Sequence, residues 1–148
     1  MLSSACKYAI RAILFLAIHS NESNKIGVKK ISEYLETPQP FLAKLLQQLS
    51  NHKLLLSTKG PKGGFYLTEL ELSKSLWKII ISIDGADKFQ QCFLGLSKCN
   101  DKQPCPAHHM VKEFRTKLLV DFKEKTIKQL ADEIKISGTL LTLKQLDL

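Results

Sequence analysis

No stretch of this 148-residue chain approaches the ~18 consecutive apolar residues of a membrane span. The best candidate, residues 9–18, is too short and is broken by Arg11. The start lacks a signal peptide's charged lead and cleavage site, so the expectation is a cytoplasmic protein with no membrane partner. Cysteine is scarce at four residues, and no two of them form the Cys-x-x-Cys pair of a thiol oxidoreductase. There is no Walker spacing and no evident acid–base constellation, which argues against an enzyme. His19, His52 and His109 read as surface or packing residues. Acidic residues are outnumbered, fourteen against twenty-two Lys and Arg, for a net charge of +8. Long polar tracts are also missing, and at 44% hydrophobic the chain can bury a core.

The positive charge is unevenly placed. Residues 1–67 hold nine of the Lys and Arg but only three acids (Glu22, Glu33 and Glu36). A basic first half suits a polyanion partner, although a basic solvated surface would look the same.

Apolar residues at helical spacing (Ala5, Ala9, Ala12, Ile13, Leu16, Ala17) predict a helix over 4–19, capped by Ser3 or Ser4. Leu14 and Ile18 widen the stripe, so this helix should be covered on more than one side. Residues 28–35 read as a short helix with Val28, Ile31 and Leu35 inward. Thr37 is the expected cap of a second helix, with Pro38 at its first position, running to about residue 51. Leu42, Leu45, Leu46 and Leu49 would face in; Gln39, Ala43, Lys44, Gln47 and Gln48 would face out. This is the pattern of a helix-turn-helix, or of an ordinary helical hairpin. Residues 54–67 favour the former, because two short apolar runs flank a Gly/Pro/Lys turn, the signature of a β-hairpin. A basic hairpin after a helix-turn-helix is a wing. Its tip has Lys59, Lys62 and the glycines Gly60 and Gly63, where backbone can approach a phosphate closely.

A helix is expected over 73–83, with Ser73 as cap and Leu76, Ile79, Ile80 and Ile83 apolar. Residues 84–106 show no periodicity, which is unusual unless the segment is functional or held by something. It contains the means: Cys92, Cys99 and Cys105 fall within fourteen residues, and His108 follows Cys105 by three positions. Clustered thiols and an imidazole are ligands for a transition metal or an iron–sulfur cluster. Cys6, alone on an apolar helix, reads as core. From 107 to 125 the helical pattern returns with a stripe of Val111, Phe114, Leu118 and Phe122, flanked by Met110 and Leu119. A charged opposite face suggests helix-to-helix dimerisation, with packing on its own domain as the alternative. Thr126 is a candidate cap for a last short helix with Ile127, Leu130 and Ile134 apolar.

Several of these pieces together resemble the Rrf2 family of bacterial winged-helix regulators of IscR-like and NsrR-like kind. They are Lys7-Tyr8-Ala9-Ile10-Arg11-Ala12, Ile31-Ser32-Glu33 with Phe41-Leu42, the wing Lys59-Gly60-Pro61-Lys62-Gly63-Gly64-Phe65, and the cysteine loop. The likeness covers about residues 1–135. It implies a mainly α fold with a small β-hairpin wing (α+β), a winged helix-turn-helix domain plus a long C-terminal dimerisation helix. The expected divisions are 1–83 for DNA binding, 84–106 for the cluster or sensor loop, and 107–148 for the dimerisation helix and tail.

The resemblance further implies a homodimeric regulator of a double-stranded DNA operator, a repressor or an activator. Cys92, Cys99 and Cys105 match the cluster cysteines, and His108 matches the histidine ligand of [2Fe–2S] members; [4Fe–4S] is the second cluster type. The expected signals are iron–sulfur status, nitric oxide or redox state. Thr37, Gln39, Phe41, Lys44, Gln48, Lys59, Gly60, Lys62 and Gly63 are the expected DNA contacts. The chain also departs from the pattern. Its Cys92–Cys99 gap is one residue longer than in IscR-like members. Tyr8 occupies the helix-1 region where some members place an acidic ligand. Ala43 replaces a base-reading glutamate, and Lys59 stands where an arginine often enters the minor groove. The alternatives are a zinc-bound Cys₃His loop, a cluster-free regulator working through thiol chemistry or a protein partner, and an iron–sulfur carrier, which would not need the basic wing.

Overall fold

Ser3 opens the first helix by accepting the Cys6 N–H at 3.0 Å, and α1 runs Ser4–His19. Its apolar residues occupy more than one face, and Ala9, Ala12, Ile13 and Leu16 are fully buried. α2 (Val28–Leu35), α3 (Gln39–Asn51), the later helices α5 (Leu76–Ile83) and α8 (Ile127–Ser137), and the second wing strand all pack against it. This computed structural model describes residues 2–97 and 99–139.

The α2–α3 turn is closed by side chains. Glu36 adopts the left-handed conformation, the Thr37 N–H donates to Ser32 O at 3.1 Å, and Ser32 Oγ donates to Thr37 O at 2.7 Å. Thr37 is not the cap expected from sequence. Its hydroxyl donates back to Leu35 O, it is buried, and Pro38 occupies the cap position with Pro40 in the first turn. The leucines Leu42, Leu45, Leu46 and Leu49 face inward as their spacing requires.

The wing is an antiparallel pair, β1 (Leu56–Thr58) and β2 (Gly64–Tyr66), with Ser57 opposite Phe65. It is fixed to the body by Ile26, which exchanges both backbone hydrogen bonds with Phe65, at 3.0 and 2.8 Å. Gly64 is required there, since a Cβ would stand 2.8 Å from the Ile26 backbone.

The expected helix over 73–83 is α5, with Ser75 and not Ser73 at its N-cap; a short helix, α4 (Glu69–Leu72), precedes it with Thr68 at its N-cap and Ser73 at its C-cap. The buried Glu71 carboxylate accepts both the Thr68 N–H (3.0 Å) and its hydroxyl (2.6 Å), a capping box. Within the stretch that lacks periodicity, α6 (Ala86–Gln90) forms a single turn that buries Phe89 between Trp77 and Phe122.

α7 (His108–Glu124) leans on α5, and α8 follows a Thr126 capping box, with Ile127 in the main core and Ala131 also buried. The segment from 107 onward is thus not a detached appendage, because α8 closes the core around α1. Residues 140–148, the end of the expected third division, lie outside the described residues.

Removing the Glu71 carboxylate by Glu71→Ala should cost about 1–3 kcal/mol in denaturant unfolding. Burial raises the Glu71 pKa, but the Thr68 hydrogen bonds and the nearby Lys74 outweigh it and hold the group below the usual carboxylate value. Its contribution is therefore present above the ordinary carboxylate range and lost as pH falls through the lowered folded value. The stability gap between wild type and Glu71→Gln should close on acidification, measured by unfolding at stepped pH.

Candidate functional site

Part of the basic half's exposed surface lies on α3 and the wing. Gln39, Lys44, Lys59 and Lys62 are exposed, and Phe41 keeps 38% of its surface in solvent. Phe41 meets Tyr8 of α1 edge-on, with ring centroids 5.8 Å apart, and the Arg11 guanidinium lies 5.1 Å from the Tyr8 ring centre. Two of the expected DNA contacts are engaged within the chain. The Thr37 side chain is buried in the turn. Gln48 turns toward α5, where its amide donates to Ser82 O at 2.6 Å, so tertiary packing has claimed it from the outward stripe. Gly60 turns the wing tip with φ +100°. Gly63 meets an internal constraint, since a Cβ would lie 2.3 Å from Thr58 O. Its glycine is accounted for by the hairpin itself.

The cysteine loop places its four donors as two pairs. Cys92 Sγ and Cys105 Sγ are 3.9 Å apart, and Cys99 Sγ lies 3.3 Å from His108 Nδ1. Two thiolates held tetrahedrally at ~2.3 Å from one ion stand about 3.8 Å apart, so the first pair already has the separation of two ligands on one metal. Among the described residues no three Cys, His, Asp or Glu side chains gather around one point. Two-and-two is the donor arrangement of a two-iron cluster, whereas a single zinc needs all four ligands together.

His108 is 5% exposed, and its Nε2 faces Asp101 Oδ1 at 2.7 Å, leaving Nδ1 toward Cys99. A carboxylate on the far ring nitrogen is what orients a metal-binding histidine. Lys112 also contacts Asp101, at 2.8 Å, and the Lys112 and His108 hydrogen bonds hold the Asp101 carboxyl below its usual range. The Cys92 thiol is pulled below its ordinary value, first by the backbone N–H groups of Leu96 and Leu94, then by Cys105 and the Arg115 charge, against the effect of burial. These residues therefore fit a thiolate-bound group. Cys6 is the opposite case, since burial pushes its thiol up to about 12, and it is core as expected.

Sequence reasoning missed Asp101 and Arg115. Arg115 reaches from α7 to the Gln90 and Gln91 carbonyls at 3.1 and 2.8 Å, tying the loop's entry to the helix that follows it. An acid lying between Cys99 and His108 was the one available signal for Asp101. A cleft of about 330 Å³ runs between this loop and α7, lined by Cys99, Cys105, His108 and Val111 among others.

Of the expected dimerisation stripe, Phe114 is 57% exposed, while Val111 and Leu118 are half-buried. Phe122 packs 5.8 Å from Phe89 in the chain's own core, because α7 crosses α5 at that point.

A helix-turn-helix with a basic wing, followed by a thiol-rich loop, defines a winged-helix transcription regulator. The chain belongs to the Rrf2 family, described as iron-dependent transcriptional regulators, which matches residues 2–133. It is 35% identical over 130 residues to an HTH-type transcriptional regulator of Aquifex aeolicus, spanning 86% of this chain and 89% of that one. It is 26% identical over 117 residues to the transcriptional regulator IscR of Sodalis glossinidius, covering 79% and 70% of the two chains. In fold it is similar to CymR, the global cysteine regulator of B. subtilis, with a TM-score of 0.70 at 19% identity over 90% and 97% of the chains. No described helix is long and apolar enough to cross a membrane.

Replacing Arg115 by alanine should release the loop entry and leave the core intact. Amide hydrogens over 91–107 should exchange faster, by the equivalent of about 1–3 kcal/mol of local opening, while those of α1 and α3 stay unchanged.

Proposed function

We propose that this regulator binds its operator as a homodimer, and that binding responds to an iron–sulfur cluster of [2Fe–2S] type held by Cys92, Cys105, Cys99 and His108. The observation that carries the reading is the pairing of donors, 3.9 Å between the two sulfurs and 3.3 Å between sulfur and imidazole, with Asp101 orienting the imidazole. A bound cluster supplies a redox- and nitric-oxide-sensitive crosslink of the loop. The chain does the rest. Arg115 and Phe89 fasten the loop's entry, His108 fastens its exit at the first turn of α7, and α7 carries the state of the loop away. α7 is 17 residues long yet buries only His108, and it leaves Met110 (73% exposed) and Phe114 uncovered. That supports pairing with a second copy through Phe114 and Leu118. Gln39, Phe41 and Lys44 would meet base edges, and Lys59 and Lys62 of the wing would meet phosphates. Residues 1–83 would serve as the DNA-binding part and 84–106 as the sensor loop.

Anaerobic purification, absorption spectra and iron, sulfide and zinc analysis test this. The expected result is a coloured protein with about two irons and two sulfides per chain. Cys92→Ala, Cys99→Ala or Cys105→Ala should lose the colour, and Asp101→Asn should weaken retention about 10- to 100-fold. Full iron content in a triple cysteine variant would refute the assignment. Colourless protein with one zinc per chain would make the loop structural.

One observation favours a second, cluster-free reading: Cys92 and Cys105 sulfurs in contact can close to a disulfide, giving two protons and two electrons to an oxidant such as peroxide. Metal-free protein that resists reconstitution and changes operator affinity on oxidation would establish it.

Operator affinity should fall steeply with salt, and the double variant Lys59→Ala/Lys62→Ala should reduce the log–log salt slope by about two. An unchanged slope would remove the wing from the interface.

A further inference from the structure

The recognition helix carries an uncommon set of side chains for a reader of DNA. Over Gln39–Asn51 there is no arginine, aspartate or glutamate, and Lys44 is the single charged residue. Arginine and lysine read guanine, and acids accept from cytosine. Glutamine pairs with adenine, and apolar groups pack on the thymine methyl. The first turn of α3 offers Gln39 and Phe41, both exposed and flanked by the exposed Pro38 and Pro40.

Phe41 is a large apolar side chain left in solvent, but it is held. Tyr8 meets its ring at an interplanar angle of 85°, and Arg11 stacks on Tyr8 in turn, so α1 braces the phenyl through two successive contacts. An exposed ring fixed in place before binding loses little entropy when a partner covers it. At the leading turn of a major-groove helix, the partner of matching chemistry is the 5-methyl group of thymine.

We infer that α3 reads A·T base pairs, with Phe41 packing on a thymine methyl, Gln39 taking an adenine edge, and Tyr8 acting as the positioning residue for Phe41. The inference rests on the winged-helix DNA-binding reading and adds the base identity. Only Lys44 is left on this helix to engage a guanine.

The test uses the full-length protein to select duplexes from a random library, followed by anisotropy titrations in which each thymine is replaced in turn by deoxyuridine. That change removes the methyl and keeps every hydrogen-bonding group. The expected result is A·T-rich half-sites, with one thymine per half-site whose methyl contributes about fourfold in affinity, the worth of one buried methyl. Phe41→Ala should bind more weakly and no longer distinguish thymine from uracil at that position. Tyr8→Phe should keep the discrimination, and Tyr8→Ala should reduce it. A packing role alone for Tyr8 and Phe41 would lower their thermal midpoints and leave the methyl effect intact, which would overturn the inference. So would G·C pairs at the positions facing Gln39 and Phe41, or a wild-type protein indifferent to uracil at every position, a measurement that needs no variant. Failure to select any sequence over random would instead refute the DNA-binding reading on which the inference stands.

Discussion

Burial of α1 is the constraint on which the remaining structure depends. With Ala9, Ala12, Ile13 and Leu16 at zero exposure and Leu14 and Phe15 also buried, the helix is covered on more than one side, and α2, α3, α5 and α8 all pack against it. Its small residues allow that close approach, and its ends become reference points. At the start, the Ser3 N–H donates to Asp84 Oδ2 at 2.8 Å, fixing the point where the cysteine loop leaves the body. At the finish, Ser20 accepts the Leu67 N–H just beyond the wing. Between them Tyr8 braces Phe41 at the tip of the recognition helix. Three separate functional segments are therefore positioned against one buried rod, and a packing defect in α1 would disturb all three together.

The loop that follows is held by a different logic. Phe89 is clasped between Trp77 and Phe122, so Cys92, three residues later, starts from a rigid point. His108 is buried at the opening of α7, so the other end is anchored on that helix. Cys99 and Asp101 lie in the exposed middle. Ordering that middle costs conformational entropy which the exposed Phe93, Leu94 and Leu96 do not repay within one chain. An added crosslink at Cys99 has its largest effect there, because the two ends have already been fixed by packing.

Much of this was legible in the sequence where periodicity is long. α1, α2, α3 and α8 follow their apolar spacing, and the hairpin follows its Gly/Pro turn. Periodicity fails where an element is shorter than its own repeat. α6 is a single turn known by one buried phenylalanine. α4 is four residues long, and its only local signal is the Thr68-x-x-Glu71 capping box at its start. Other misses are tertiary. Nothing local distinguishes Gln48, whose amide finds Ser82, from Gln47, which stays in solvent. Thr37 looks like a cap until the turn buries it. The stripe on α7 is ambiguous in principle, since one apolar face can cover its own core at Phe122 and leave Phe114 for a partner. The cysteines could be recognised as donors from spacing, but their division into two pairs could not, because that depends on where Phe89 and His108 anchor the loop.

In the proposed regulator, the way α7 is mounted would link the loop to the DNA-reading surface. Its C-terminal end is pinned: Leu76 N–H donates to Lys125 O and Ile127 N–H to Lys74 O, both at 2.9 Å, so the junction with α8 is stitched to the start of α5. Its N-terminal end rests on the cysteine loop through His108, Lys112 and Arg115. A helix fixed at one end and supported by a loop at the other is a lever. At ~1.5 Å rise per residue its 17 residues span about 25 Å, so a tilt of about 5° moves the free end by roughly 2 Å. In the proposed dimer two such levers pair, and their tilt sets the separation of two recognition helices that must match half-sites about 34 Å apart. Each α3 packs on α1 and each α1 on α8, so in that dimer the displacement would be carried into the spacing between the two DNA-reading surfaces.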